Sequence, residues 1–225
     1  MKEYLYKTPI EMSRGSHFGS DYWVSYSKKL NRRVKCFSLL EYANFLALEM
    51  NPNVEYFCEQ PVKIELIDFP GKSSIIDFWV LYRNGSSVYQ EIKYTKDLES
   101  ENNERVIKQI AFQKEWCKRN NQQYEICTEK ELLIPNVFNN LNQLHFWNVN
   151  TDQLSDMDLS LIKCLKENNN KLTIKELNLH LNYSLRTLYE TIADQIYKGY
   201  ITIDFASRPI DFNTEVSLCK TVNLV

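Results

Sequence analysis

Asp77, Glu91 and Lys93 place two carboxylates and an amine on two neighbouring predicted strands. The runs at residues 74–82 and 88–93 are rich in β-branched and aromatic residues, and an Asn-Gly turn signal separates them. This pattern predicts an antiparallel pair of strands. Side chains two residues apart on a strand share a face, so Glu91 and Lys93 point together and Asp77 completes the cluster.

Two carboxylates and a lysine suit hydrolysis of a phosphodiester with Mg²⁺. Hard divalent cations prefer oxygen ligands and activate water for attack on phosphorus. A lysine can orient that water or offset developing charge. Ile92, between Glu91 and Lys93, would turn into the core and keep only its carbonyl near the site. A simpler alternative stays open, in which Glu91 and Lys93 form a solvated strand face and Asp77 bonds to a turn.

A helix predicted for residues 38–50 precedes these strands and contributes a further carboxylate, Glu41. Its apolar residues recur at helical spacing, and Asn51-Pro52 ends it. Ser38 with Glu41 three residues later is also a capping box, so Glu41 could simply cap its own helix. Both roles for Glu41 remain open at this point.

The order of predicted elements around the cluster is αβββαβ, which is an α/β fold. A strand is predicted within residues 54–67, a helix at residues 101–119 and a last strand at residues 123–127. Gln109 and Gln113 lie on the predicted helix, and a solvated helical face is the favoured interpretation for both.

These motifs resemble the TnsA endonuclease subunit of heteromeric transposases, within the restriction-endonuclease-like PD-(D/E)xK nucleases. The segments that carry the resemblance are residues 32–41, 51–52, 59–61, 76–78, 91–93 and 124–129. The resemblance implies that Glu41, Asp77 and Glu91 hold Mg²⁺, for which Mn²⁺ would substitute. It also implies that Ile92 donates its carbonyl to the metal and that Lys93 serves the nucleophile. One departure is Glu91, whose place the family can fill with glutamine. Gln109 and Gln113 lie where related nucleases often carry a polar residue that reaches the site, which is the alternative to a solvated helical face.

The resemblance also implies a reaction and a set of partners. The chain would cut the 5′ ends of a mobile element during cut-and-paste transposition. Its partners would be the transposon-end DNA, a DDE-type transposase and an AAA+ ATPase regulator. Two alternatives remain: a free-standing restriction-like or repair nuclease, and a non-catalytic DNA-binding adaptor.

Composition limits the remaining classes of protein. The 225 residues are 44% hydrophobic, with no apolar run long enough to span a bilayer. The N-terminus lacks the apolar core of a signal peptide, so the bacterial cytoplasm is the expected location. Six cysteines without a CxxC pair and only three histidines argue against zinc, and the cysteines are expected to be reduced and mostly buried.

The net charge of −2 does not favour strong DNA binding by the isolated chain, because phosphate contacts usually dominate such affinity. A basic stretch with interleaved aromatic residues is the best local candidate for phosphate contacts. The residues selected are Arg14, Lys29, Arg32, Arg33 and Lys35. A solvated charge run is the alternative.

A small C-terminal winged-helix domain is predicted for residues 151–225, after an endonuclease domain at residues 1–150. Its three predicted helices cover residues 156–168, 173–181 and 184–198, with caps at Thr173 and Ser184 and a stop at Gly199. A strand at residues 200–205 follows. Since Glu190 and Asp194 on the third helix would oppose phosphate, protein contact is favoured over DNA contact. The tail at residues 213–225 could dock through its apolar residues.

Overall fold

The computed structural model describes residues 4–11, 21–99, 103–148 and 156–219. The chain divides into two compact units, Met1–Leu48 with Asn53–Leu133 and Glu49–Pro52 with Ile134–Val225. The longer segment of the second unit starts at Ile134, whereas the sequence suggested a division near residue 151. None of the described helices has the length and apolar content needed to cross a bilayer.

The first unit contains a mixed four-stranded sheet in the order β3-β6-β7-β8. β3 and β6, and β6 and β7, are antiparallel, whereas β7 and β8 are parallel. The elements of this unit are β1 (Trp23–Ser27), β2 (Arg32–Cys36), α1 (Leu39–Met50), β3 (Val54–Glu59), β4 (Lys63–Glu65), β5 (Ser73–Ile75), β6 (Phe78–Tyr82), β7 (Ser87–Ile92), α2 (Thr95–Glu99), α3 (Glu104–Arg119), β8 (Gln123–Cys127) and α4 (Glu129–Leu132). The predicted mixed α/β class is confirmed, and it is consistent with a restriction-endonuclease-like core.

One helix packs on each face of this sheet. On one face, Phe45 of α1 meets Phe57 of β3 edge-on, with ring centroids 6.1 Å apart. On the other, Trp116 of α3 meets Tyr89 of β7 at 5.6 Å. Because side chains alternate along a strand, Glu91 lies on the Tyr89 side, toward α3.

The predicted strand at residues 74–82 is in fact two strands in different sheets, and that prediction was wrong. β5 pairs with β4 in a separate two-stranded sheet, whereas β6 pairs with β7. Asp77 lies in the break between them. The regular ladder stops there because the side chain of Asp77, instead of a backbone carbonyl, accepts the Ile92 N–H.

The second unit builds a three-stranded sheet, β10-β11-β9, against a group of helices. Its elements are α5 (Pro135–Trp147), α6 (Asp156–Glu167), β9 (Lys171–Thr173), α7 (Ile174–Leu181), α8 (Leu185–Lys198), β10 (Ile201–Ile203) and β11 (Glu215–Leu218). The predicted caps are present: Thr173 forms a capping box on α7, Ser184 accepts from Thr187 N on α8, and Gly199 ends α8 with φ +80°.

Helix α5 belongs to the second unit because its side chains hold the loop between β10 and β11. Asn140 is buried, donates to the carbonyls of Phe205 and Arg208, and accepts from Ile210 N. These partners lie 65 to 70 residues away in sequence, so no local signal could reveal them.

The proposed tail at residues 213–225 is a structural strand in its first part. Val216 is fully buried, and β11 pairs with both β10 and β9. The expectation that this part docks a partner through its apolar residues is wrong, because those residues already pack inside the unit. Residues 220–225 lie outside the described part of the chain.

Candidate active site

Asp77 holds together the two strand ends at the centre of the candidate site. Its Oδ2 accepts the backbone N–H of Ile92 at 2.7 Å, which fixes the end of β7 beside it. The N–H and C=O of one strand residue point to the same side, so the Ile92 carbonyl also faces Asp77. The Ile92 side chain is buried, as the sequence predicted.

Glu91 is fully buried and receives three hydrogen bonds from side chains. Lys93 Nζ donates to its Oε1 at 2.7 Å, and Gln109 Nε2 donates to the same oxygen at 2.9 Å. Gln113 Nε2 donates to Oε2 at 2.8 Å. The bonds from Lys93 and Gln113 favour the ionised form of this buried carboxylate, but burial and the charge of Asp77 outweigh them.

Gln109 and Gln113 therefore do not form a solvated face, and that interpretation was wrong. Gln113 is fully buried, and its Oε1 accepts the Tyr124 hydroxyl at 2.7 Å, which fixes which end of the amide meets Glu91. Two glutamines four residues apart share one face of a helix. This spacing was the feature of the sequence that could have indicated that both side chains reach the same carboxylate.

Glu41 lies in the first turn of α1 and acts as a cap for its own helix. Its Oε2 accepts from Phe37 N at 2.9 Å, its Oε1 accepts from the Ser38 hydroxyl at 3.3 Å, and Ser38 accepts in return from Glu41 N. Gln60 Nε2 also donates to Oε2, at 3.4 Å. The capping role is real, and it leaves the carboxylate beside the other acidic residues.

The electrostatics show that these residues form one cluster. Burial and the charge of Asp77 raise the pKa of Glu41 to about 7. The same causes raise the pKa of Glu91 to about 8, against the opposing effect of Lys93. Burial alone would lower the pKa of Lys93, but Asp77 and Glu91 outweigh it and raise that pKa. Three carboxylates and one lysine leave an excess of negative charge that a cation would relieve.

The donor set fits a hard divalent cation in its chemistry. Carboxylates and a carbonyl are the ligands that Mg²⁺ prefers. Among the described residues, however, no three His, Cys, Asp or Glu side chains lie close enough together to form a metal-binding site without rearrangement. Glu91 is instead directed to Lys93 and the two glutamines.

The basic residues selected from the sequence do not form one exposed set. Arg32 forms a bidentate salt bridge with the buried Glu59, with Nη1–Oε1 and Nη2–Oε2 distances of 2.6 and 2.7 Å. Arg33 and Lys35 are exposed on β2, whereas Lys29 is half-buried in the turn before it. Arg14 lies outside the described residues.

Two clefts of the first unit adjoin the cluster. One, of about 610 Å³, is lined by Gln60 and Phe37, both partners of Glu41, and by the basic residues of β2. The other, of about 1160 Å³, is lined by Ser74 and Gln109, next to Glu91. Its basic lining residues are Lys72, Arg105 and Lys108.

The mixed sheet with carboxylates and a lysine at its strand ends is consistent with the core of a restriction-endonuclease-like nuclease. Residues 51–129 match the family described as TnsA-like endonuclease N terminal. The predicted resemblance to a TnsA-like endonuclease is thereby confirmed for this segment, which contains Asp77, Glu91 and Lys93. Glu41 and residues 134–225 lie outside the match. No curated protein matches the chain.

Proposed function

We propose that this chain is the Mg²⁺-dependent endonuclease subunit of a heteromeric transposase, cutting the 5′ ends of a mobile element during cut-and-paste transposition. The observation that carries the proposal is the convergence of Asp77, Glu91 and Lys93 within the segment that matches the family. The raised pKa values of Glu41 and Glu91 support it, because their causes, burial and then the charge of Asp77, are those of carboxylates gathered in a buried site.

Glu41, Asp77, Glu91 and the Ile92 carbonyl would hold the metal, with Mn²⁺ as a substitute for Mg²⁺. When bound, the metal would supply activated water and stabilise charge on the phosphodiester. Lys93, ionised because of its acidic neighbours, orients the attacking water and offsets charge on the phosphate. Gln109 and Gln113 hold the Glu91 carboxylate in place. Water forms a new P–O bond, and the P–O bond to one sugar oxygen of the strand breaks. The water loses a proton to solvent and the leaving oxygen gains one, which leaves a phosphate on one end and a hydroxyl on the other.

The transposon-end DNA would approach over the two clefts and the β1–β2 hairpin. On the outer face of this hairpin, Tyr26 pairs with Arg33 and Val24 pairs with Lys35, and all four are exposed. Exposed cations beside an aromatic ring suit contact with the DNA backbone. Because the net charge of the chain is −2, stable placement on DNA would depend on partners.

We further propose that the second unit is a winged-helix domain that contacts protein partners. Its order of helix, strand, two helices and two strands supports this assignment. Arg186, near the start of α8, is bonded to Glu190 at 2.8 Å and is not available for the major groove without breaking that pair. The DDE-type transposase and the AAA+ ATPase regulator are the proposed partners, in the bacterial cytoplasm.

The test is cleavage of a labelled transposon-end duplex by the full chain with Mg²⁺ or Mn²⁺, with and without the transposase encoded beside it. Asp77→Asn is the informative variant, because the amide oxygen can still accept the Ile92 N–H. Glu65→Gln, which neutralises an exposed acid of the same unit, is the matched control. We expect partner-dependent nicking of the 5′ strand that Asp77→Asn abolishes and Glu65→Gln retains.

Other outcomes would favour the alternatives. Cleavage without any partner would replace the transposase subunit with a free-standing nuclease. No cleavage under any condition would favour a non-catalytic adaptor. Equal cleavage by wild type and Asp77→Asn would remove the catalytic assignment.

A further inference from the structure

Gln60, directly after β3, has an unusual backbone conformation beside the proposed metal ligands. Its φ is +37°, in the left-handed region that residues other than glycine rarely adopt. The residue is also buried, with 4% of its surface exposed. Strained conformations persist only where the surroundings fix them, and they cluster at functional sites.

The polar groups of Gln60 connect the segments that carry two of the carboxylates. Its N–H donates to the carbonyl of Asp77 at 2.8 Å, one step beyond the last pair of the β3–β6 ladder. Its side-chain amide donates to Glu41 Oε2 at 3.4 Å, and its own carbonyl accepts from Ile10 N at 2.9 Å. Gln60 thus connects the segment between β5 and β6, at Asp77, to the first turn of α1.

An ion pair fixes the backbone that enters Gln60. Both guanidinium nitrogens of Arg32 bond to the Glu59 carboxylate, whose side chain is 1% exposed, against 20% for Arg32. This bidentate geometry needs the planar guanidinium group of arginine, which lysine lacks. Arg32 therefore ties β2 to the end of β3, and it is not free to make a phosphate contact.

We infer that Gln60 is a positioning residue that sets the Glu41 carboxylate relative to Asp77, and that the Arg32–Glu59 pair holds Gln60 in place. The inference rests on the proposed function, since the relative position of the two carboxylates matters only if both hold the metal. Outer partners of metal ligands typically influence metal affinity by about 10- to 100-fold.

The first test replaces Gln60 with glycine in the full chain. Glycine adopts a positive φ without strain, so Gln60→Gly removes the amide while the turn is retained. Asn121→Gly is the matched control, because Asn121 has φ +53° and lies exposed between α3 and β8. We expect Gln60→Gly alone to weaken Mn²⁺ binding about tenfold, measured from free Mn²⁺ by electron paramagnetic resonance. Neither variant should lower the thermal midpoint.

The second test replaces Arg32 with lysine, which keeps the positive charge and removes the bidentate guanidinium group. A phosphate contact would largely survive this change, whereas a positioning role would not. We expect Arg32→Lys to weaken Mn²⁺ binding severalfold in the absence of DNA, while Arg119→Lys, on an exposed arginine that is also ion-paired, leaves it unchanged. Unchanged Mn²⁺ affinity in Arg32→Lys would overturn the role of the ion pair.

The outcomes separate this inference from the proposed function. If Asp77→Asn loses Mn²⁺ but Gln60→Gly binds it as tightly as wild type, the positioning role is wrong and the proposed function stands. If the wild type binds no Mn²⁺, the metal-dependent function fails and the inference fails with it. A lowered thermal midpoint in Gln60→Gly would assign its effect to folding and also overturn the inference.

Discussion

Each unit contains a half-buried lysine among carboxylates, and the two clusters differ in how the charges are balanced. In the second unit, Lys198 lies 2.5 Å from Asp194 and 3.6 Å from Asp158. Asp194 is one helical turn away on α8, and Asp158 lies in the first turn of α6, where the helix dipole favours an acid. Local helix geometry explains this arrangement.

In the first unit, three carboxylates surround one lysine, and local geometry does not explain their meeting. Glu41 comes from a helix start, Asp77 from a break between strands, and Glu91 from the buried end of β7. Burial, and after it the charge of Asp77, raises the pKa of both glutamates. An arrangement that costs stability persists where another function requires it, so an excess of like charge distinguishes a candidate site from an ordinary ion pair.

Neutralising one acid in each unit should therefore have opposite effects on stability. We expect Asp77→Asn to reduce cleavage by at least about 100-fold, because a proposed direct ligand should matter more than an outer partner. The same change should stabilise the metal-free protein at pH 8.5 by about 1 kcal/mol, since it removes repulsion from Glu41 and Glu91. Asp194→Asn should instead destabilise by about 1–2 kcal/mol, because it removes the nearer of the two acidic partners of Lys198.

The measurements are cleavage rates and thermal or urea unfolding of the full chain at pH 8.5. Asp194→Asn should bind Mn²⁺ as the wild type does, because its change lies outside the proposed site. If Asp77→Asn also destabilised the metal-free protein, the carboxylates of the first unit would be an ordinary structural cluster and the contrast would fail.

The pH dependence of stability sharpens the same contrast. Glu41 and Glu91 have pKa values of about 7 and 8 in the folded protein, against 4.5 as the ordinary value. Both carboxyls therefore bind protons more tightly when the protein is folded. Their contribution to the free energy of unfolding is fully present below about pH 4.5 and is lost as pH rises through 7 to 8. We expect the metal-free protein to lose several kcal/mol of stability from this cause between pH 5.5 and 8.5, up to about 5 kcal/mol.

Mg²⁺ should reverse this loss, and more strongly at pH 8.5 than at pH 5.5, because the cation binds the ionised carboxylates. Urea unfolding at both pH values, with Mg²⁺ or with a chelator, measures the effect. Asp77→Asn is the control and should show a smaller slope. A metal-free stability that rises with pH through this range would contradict the raised pKa values.

How far the sequence could predict this site depends on the distance over which each contact forms. Glu91 and Lys93 share a strand face, and Glu41 follows its capping serine by three residues, so short-range rules found them. The Arg32–Glu59 pair spans 27 residues, and the Gln113–Glu91 bond spans 22. Such contacts depend on how the sheet assembles, which neither periodicity nor charge pattern records.

The fold shows the same division between local and long-range information. The caps at Thr173, Ser184 and Gly199 were predicted correctly, because each depends on its own helix end. The role of Asn140, which bonds to a loop 65 to 70 residues away, could not be predicted in this way. The break at Asp77 was missed because residues 74–82 are uniformly suited to a strand, and only a side chain from the same segment interrupts the ladder.

Tyr124 offers the smallest and most specific test of whether the first unit is organised around Glu91. Its hydroxyl donates to Gln113 Oε1 at 2.7 Å, which directs the Gln113 amide N–H toward Glu91. Burial raises the pKa of this hydroxyl strongly, so it remains a donor at every working pH. Tyr124→Phe removes the donor to Gln113 Oε1 and leaves the amide held only through Nε2, which also donates to Ser74 Oγ and the Ile75 carbonyl. We expect a loss of cleavage of about threefold to tenfold.

Tyr89→Phe is the matched control on the same sheet face. Its hydroxyl pairs with that of Tyr6 at 2.6 Å and touches no carboxylate of the site. Both variants remove one buried hydroxyl, so both should lower stability by about 1 kcal/mol. Only Tyr124→Phe should also weaken Mn²⁺ binding, because only its hydrogen bond leads to Glu91. Equal cleavage and Mn²⁺ binding in the two variants would mean that Gln113 stabilises the fold and does not position Glu91.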